Sequence, residues 1–174
     1  MTYVTGADPV EDTRALLAYV RGHESSLGID SSALGILAFS GNVPNALSLL
    51  LSSEPAPVRC AALACGFMLD SGGNTGVADG AAKWGFVNPT AGRNVSDLRA
   101  DVPMLIVRAG KDDNPGLNTG IDRFVCAALD LNVPLTVVNH ATGPHAFEVL
   151  EDSPTSRGIV RQVLAFFQTH LTHL

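Results

Sequence analysis

The stretch Leu34-Gly35-Ile36-Leu37-Ala38-Phe39-Ser40-Gly41 decides how the chain is read. Its first six residues form a short apolar run of the kind that makes a buried strand, and the polar Ser40 follows at once. Residues 44–51 then have the composition of a helix that begins just after the turn. The order is strand, sharp turn, helix, with a serine held in the turn.

Two further segments repeat the pattern of an apolar run that opens into a polar loop. Met104-Leu105-Ile106-Val107-Arg108 predicts a strand and leads into Ala109-Gly110-Lys111-Asp112-Asp113. Leu135-Thr136-Val137-Val138 predicts another and leads into Gly143-Pro144-His145. Residues 58–65 supply a fourth strand between the first two.

Helical signals lie between these runs. Asp8-Pro9 is a cap followed by a first-turn proline, and Leu16, Leu17 and Val20 carry a helix towards Gly22. Residues 118–131 place Ile121, Phe124, Val125, Ala128 and Leu129 at helical spacing, with Asn118 read as the cap. Ser153-Pro154 opens a last helix through Ile159, Val160, Val163, Leu164 and Phe167 to about His170. Residues 66–103 are glycine-rich and weakly periodic and read as one long loop, of the kind that is usually functional. In it, residues 71–76 lack both the P-loop lysine and dinucleotide glycine spacing, while Trp84 and Phe86 either line a pocket or anchor the loop.

Nearly all-apolar strands alternating with helices mean a parallel sheet covered on both faces. The expected fold is α/β, a doubly wound, mainly parallel sheet of about four strands with flanking helices, in a single domain over residues 1–174. Open parallel sheets place their working crevice outside the carboxyl ends of the strands, so the serine, an acid and a histidine converge there. A serine hydroxyl becomes a nucleophile when an imidazole takes its proton, and a buried carboxylate fixes that imidazole's tautomer. Ser40, His145 and Asp112 are the candidates for these roles.

Each has a competitor or a purely structural alternative. Ser40 could simply cap the following helix, and Asp112 could be a turn former. Asp113 competes with Asp112 for the acid role, and His140 competes with His145; Asp112 and His145 are favoured. His23, His170 and His173 read as solvated.

Composition narrows the partners. The chain is 46% hydrophobic and only 16% charged, which describes a well-buried globular protein. A net charge of -6 argues against nucleic acid and anionic membrane surfaces and favours a small-molecule ligand. Cys60, Cys65 and Cys126 are odd in number, lack CxxC spacing and sit in apolar stretches, so they read as reduced core residues with no metal site among them. The amino terminus has no signal-peptide pattern and no run reaches transmembrane length, which gives a soluble, cytoplasmic expectation.

Residues 30–42, 108–124 and 139–147 resemble the dienelactone-hydrolase-like, esterase-like branch of the α/β-hydrolase superfamily, and the order of elements resembles it over nearly the whole chain. The resemblance implies a catalytic triad of Ser40, Asp112 and His145, with the Gly41 amide as one oxyanion-hole donor. It implies a serine carboxylesterase that cleaves small ester or thioester substrates through an acyl-enzyme, without a cofactor. Two departures are visible. The GxSxG elbow reads Ala38-Phe39-Ser40-Gly41-Asn42, and there is no HGGG-type run to supply a second oxyanion donor. The family's sheet has about eight strands, and this chain corresponds to its second half.

The strand at 34–39 is therefore expected at a sheet edge, where it invites pairing, and a homo-oligomer, most simply a dimer, is expected. The alternative is a catalytically inactive interaction module or fragment; a Rossmann-type nucleotide binder is disfavoured because the first turn lacks the glycine fingerprint.

Overall fold

The computed structural model describes residues 7–51 and 57–172. His173 and most of the amino-terminal stretch considered above lie outside the described residues. Asp8 caps α1 (Pro9–Gly22) by accepting hydrogen bonds from the amides of Val10 and Glu11, as the Asp-Pro pair predicts. A short α2 (Glu24–Leu27) leads into β1 (Leu34–Phe39). A 3-10 turn over Ser40–Asn42 and α3 (Val43–Leu50) follow it.

The rest of the chain repeats this alternation. β2 (Val58–Ala64), α4 (Gly76–Trp84), β3 (Met104–Ala109), α5 (Leu117–Asp130) and β4 (Leu135–His140) come in order. A single turn, α6 (Phe147–Leu150), and the long α7 (Pro154–Leu171) complete it. The four strands lie in the order β1-β2-β3-β4, and all three pairs are parallel.

Side chains alternate across this sheet and divide the core in two. Ala38, Leu63, Met104 and Ile106 face α3 and α5, packing with Leu47, Leu50, Ile121 and Phe124. Ala62, Leu105 and Val107 face the other way, onto Ile159, Val163 and Phe147. Both faces of β2 and β3 are thus buried, which is why their sequences are apolar but for the half-buried Arg59 and Arg108.

Among the described residues β1 has a partner on one side only, and Leu37 near its middle is 46% exposed. This is the edge expected from sequence. The exposed Leu16 and Tyr19 of α1 add apolar surface elsewhere on the molecule.

Four local readings need correction. First, residues 66–103 are not one loop, because α4 and a 3-10 turn at Val95–Asp97 lie within them. The start of α4 carries no side-chain cap from Thr75; instead Asp70, several residues upstream, accepts from the amides of Val77 and Ala78 and from the Asn88 side chain. A remote cap leaves no local signature. Second, Gly116, in the left-handed conformation, occupies the cap position of α5, and Asn118 sits inside the helix, donating to the Ala109 carbonyl at 2.9 Å. Third, Cys60 and Cys65 are buried but Cys126 is exposed, because it falls on the side of α5 away from Ile121, Phe124 and Ala128. Fourth, His170, expected in solvent, is half-buried against the Phe166 ring.

The Asp70 cap yields a stability prediction. Asp70→Ala leaves two amides and an Asn side chain without their acceptor, and should cost about 1–2 kcal/mol. Urea unfolding monitored by circular dichroism checks this; an unchanged midpoint would mean that water replaces the carboxylate without loss.

Candidate active site

Ser40 directly follows β1, with φ of 51°, a left-handed conformation that a non-glycine residue adopts only when its surroundings enforce it. The enforcement comes from below. Gly66, just after β2, lies so close that a Cβ there would stand 2.4 Å from the Ser40 carbonyl oxygen and 2.5 Å from the Val43 side chain. Ser40 begins the 3-10 turn and is not the cap of α3, so the capping alternative is not realised. Asn42, at the second glycine position of the elbow pattern, has ordinary helical angles and is exposed, so nothing there requires glycine.

The loops after β3 and β4 converge on the same point. Gly110 N–H donates to the His140 carbonyl at 2.8 Å and Lys111 N–H donates to the Gly143 carbonyl at 2.9 Å, binding the two loops backbone to backbone. His145 then stands with Nε2 2.9 Å from Ser40 Oγ and Nδ1 2.6 Å from Asp112 Oδ2. The Asp112 carboxylate is 0% exposed. Its other oxygen, Oδ1, accepts from the backbone amide of Asn114 at 3.1 Å and from the Asn114 side-chain amide at 2.8 Å.

A carboxylate can only accept from the imidazole, so Nδ1 carries the proton and Nε2 is left to accept from the serine hydroxyl. Such an arrangement can pass a serine proton to a histidine that a buried acid orients. Asp113, the competitor acid, is exposed. His140, the competitor histidine, is 1% exposed and hydrogen-bonds Ser156 Oγ at 3.0 Å.

Asn114 is the site residue that sequence reading missed. Its only sequence signal is the Asp-x-Asn spacing, which also describes an ordinary turn. Ala146 beside His145 and Cys65 beside Gly66 share the left-handed conformation of Ser40, so backbone strain gathers around this point. Cys65 does not compete as a nucleophile: burial first, then the charges of Glu148 and Asp112, pushes its thiol up to about 12.

Ser40, Gly41 and His145 open onto a cleft of about 510 Å³. Phe67, Val77, Trp84, Phe86 and Leu117 give it apolar walls, and no Lys, Arg, Asp or Glu is among the described residues that line it. Trp84 and Phe86 thus line a pocket, one of the two readings open from sequence. Among the described residues no three His, Cys, Asp or Glu side chains gather as a metal-ligand set. No helix of the described residues is long and apolar enough to cross a membrane.

No family model and no curated protein sequence matches this chain. Solved structures do resemble it. The esterase Est2 of Thermogutta terrifontis superposes with a TM-score of 0.71 at 20% identity, over 94% of this chain and 64% of that one. A bacterial heroin esterase gives 0.74 at 18% identity, over 98% of this chain and 62% of its own. Carboxyl esterase 2 of Tuber melanosporum gives 0.71 at 16%, over 90% and 60%. The fold is that of the α/β-hydrolases.

The chain spans about 60% to 64% of the length of these three α/β-hydrolases. Its four parallel strands, with helices on both faces, supply the part of the α/β-hydrolase fold described above.

The approach of Gly66 to Ser40 can be tested by itself. Gly66→Ala forces a methyl group into the Ser40 carbonyl and Val43, and should destabilise the chain by about 1–3 kcal/mol. Thermal unfolding should record a fall of roughly 2–4 °C for each kcal/mol lost; an unchanged midpoint would show that the serine turn does not depend on this contact.

Proposed function

We propose that this protein is a serine hydrolase of the carboxylesterase type, acting on small ester or thioester substrates. The observation that carries the reading is the continuous hydrogen-bonded series Ser40–His145–Asp112 at the carboxyl ends of three parallel strands, facing an apolar cleft. The esterases among the similar structures agree with it, although at 16% to 20% identity their likeness speaks for fold.

In this reading Ser40 Oγ attacks the substrate carbonyl carbon while His145 Nε2 takes the hydroxyl proton. Asp112 stabilises the resulting imidazolium, and Asn114 keeps the carboxylate in place. The carbonyl oxygen becomes an oxyanion beside the Gly41 N–H, at the amino-terminal end of the Ser40–Asn42 turn that leads into α3, where the local dipole favours negative charge. Collapse of this intermediate expels the alcohol or thiol, which takes the proton from His145, and leaves an acyl-enzyme. Water, deprotonated by the same histidine, then releases the acid and restores Ser40.

Turnover of p-nitrophenyl esters tests this. Ser40→Ala and His145→Ala should abolish measurable hydrolysis, and Asp112→Asn should lower kcat by about 10⁴-fold because it disturbs the histidine tautomer. Wild-type activity that survives in Ser40→Ala would contradict the assignment.

We further propose that the free edge of β1 is covered in solution by a second copy of the chain. The outer edge of β1, which has no strand partner among the described residues, and the exposed Leu37 support this. Sedimentation velocity at micromolar concentration should show a dimer; a stable monomer would contradict it.

A further inference from the structure

Resting on the hydrolase reading, we infer that the substrate is an uncharged ester with an extended apolar arm, and that Gly80 is the residue that admits this arm. α4 turns Gly76, Val77, Gly80 and Trp84 towards the cleft, one face of a helix at intervals of about one turn. The two glycines on that face differ in what they explain.

At Gly76 a Cβ would stand 2.3 Å from the Phe67 ring, so packing requires glycine. At Gly80 a Cβ would meet nothing within 4 Å, and its φ is not positive. Neither conformation nor crowding calls for glycine at a position in the middle of a nine-residue helix, where glycine is a poor helix former. What its hydrogen does is leave a floor open between Val77 and Trp84. Trp84 is 63% exposed, with the Lys83 ammonium 5.0 Å from its ring centroid, and it forms a broad apolar wall beside that floor.

The chemistry of the arm follows from the walls. Phe67, Val77, Trp84, Phe86 and Leu117 offer dispersion and hydrophobic contact along the floor. No Lys or Arg is among the described lining residues, the nearby Lys83 ammonium lies over the Trp84 ring, and the whole chain carries a net charge of -6, so a carboxylate on the arm would exchange its hydration for no ion pair with a lining residue. An alkyl or aryl arm gains where a charged one loses.

Two readouts test the inference, one of them independent of catalysis. Ester hydrolysis is followed by pH-stat for ethyl acetate, ethyl hexanoate, hexyl acetate and monoethyl adipate, the last having the reach of a hexanoate but ending in a carboxylate. The wild-type protein should prefer one of the two six-carbon esters to ethyl acetate, and should process monoethyl adipate at least about tenfold less efficiently than ethyl hexanoate. Gly80→Leu, which fills the floor with a better helix former, should lower kcat/KM for the preferred long ester by at least about tenfold while leaving ethyl acetate within about threefold.

The second readout is the emission of Trp84, the sole tryptophan of the chain. N-hexylacetamide, neutral and resistant to hydrolysis, should shift it in the wild type and not in Gly80→Leu. Turnover with no dependence on chain length, or the same profile in both proteins, would overturn the inference and leave the hydrolase reading intact. A Trp84 shift lost in Gly80→Leu, with no ester turned over, would support the ligand class and refute the hydrolase. Neither turnover nor a shift would overturn both.

Discussion

The site hangs on a contact between two pieces of backbone: the turn at Ser40 presses onto Gly66, at the end of the neighbouring strand, with room for a hydrogen and nothing larger. Parallel strands about 4.8 Å apart bring their carboxyl ends side by side, and the serine must leave its strand sharply to stand above them. Its left-handed φ has a conformational cost of order 1–3 kcal/mol, which the burial of Ala38 and Val43 on either side helps to offset. Without that enforced turn the hydroxyl would not project towards His145.

The other two side chains rely on a different device. The loops that hold Asp112 and His145 are tied to each other through backbone amides and carbonyls, so that each positions its neighbour. The acid is buried completely yet has hydrogen bonds to both oxygens, one set from Asn114 and one from the imidazole. A buried carboxylate so satisfied remains an acceptor, and that keeps the histidine proton on Nδ1. Strain in the serine turn and satisfaction around the acid are complementary parts of one arrangement.

How far these features can be read from residues alone follows from the range of the forces that make them. The strand core Met104–Val107 is legible because burial on both faces demands an unbroken apolar run, while Leu34–Phe39 is as apolar although it lies at the sheet edge and is only partly buried. α1 and α7 are legible because Asp8-Pro9 and Ser153-Pro154 cap them locally. α4 is not, because Asp70 caps it from a distance and its two glycines weaken the helical signal. The Asn118 cap fails for a similar reason, since Gly116 takes the turn and frees the asparagine to brace Ala109. At the site, Ser40, Asp112 and His145 were suggested by their places after strands and by family resemblance. Asn114 bonds Asp112 only two residues away, a spacing that an ordinary turn shares, whereas the Gly80 floor depends on side chains that meet only in three dimensions.

The central claim is that Ser40 is a nucleophile activated where it stands. Incubation with a fluorophosphonate, followed by peptide mapping in a mass spectrometer, asks this directly, because the reagent phosphonylates an activated serine and spares ordinary ones. A single adduct on Ser40, lost in His145→Ala, is the predicted result. An unmodified Ser40 in the folded protein would contradict the account and point to an α/β-hydrolase fold that serves as an interaction module.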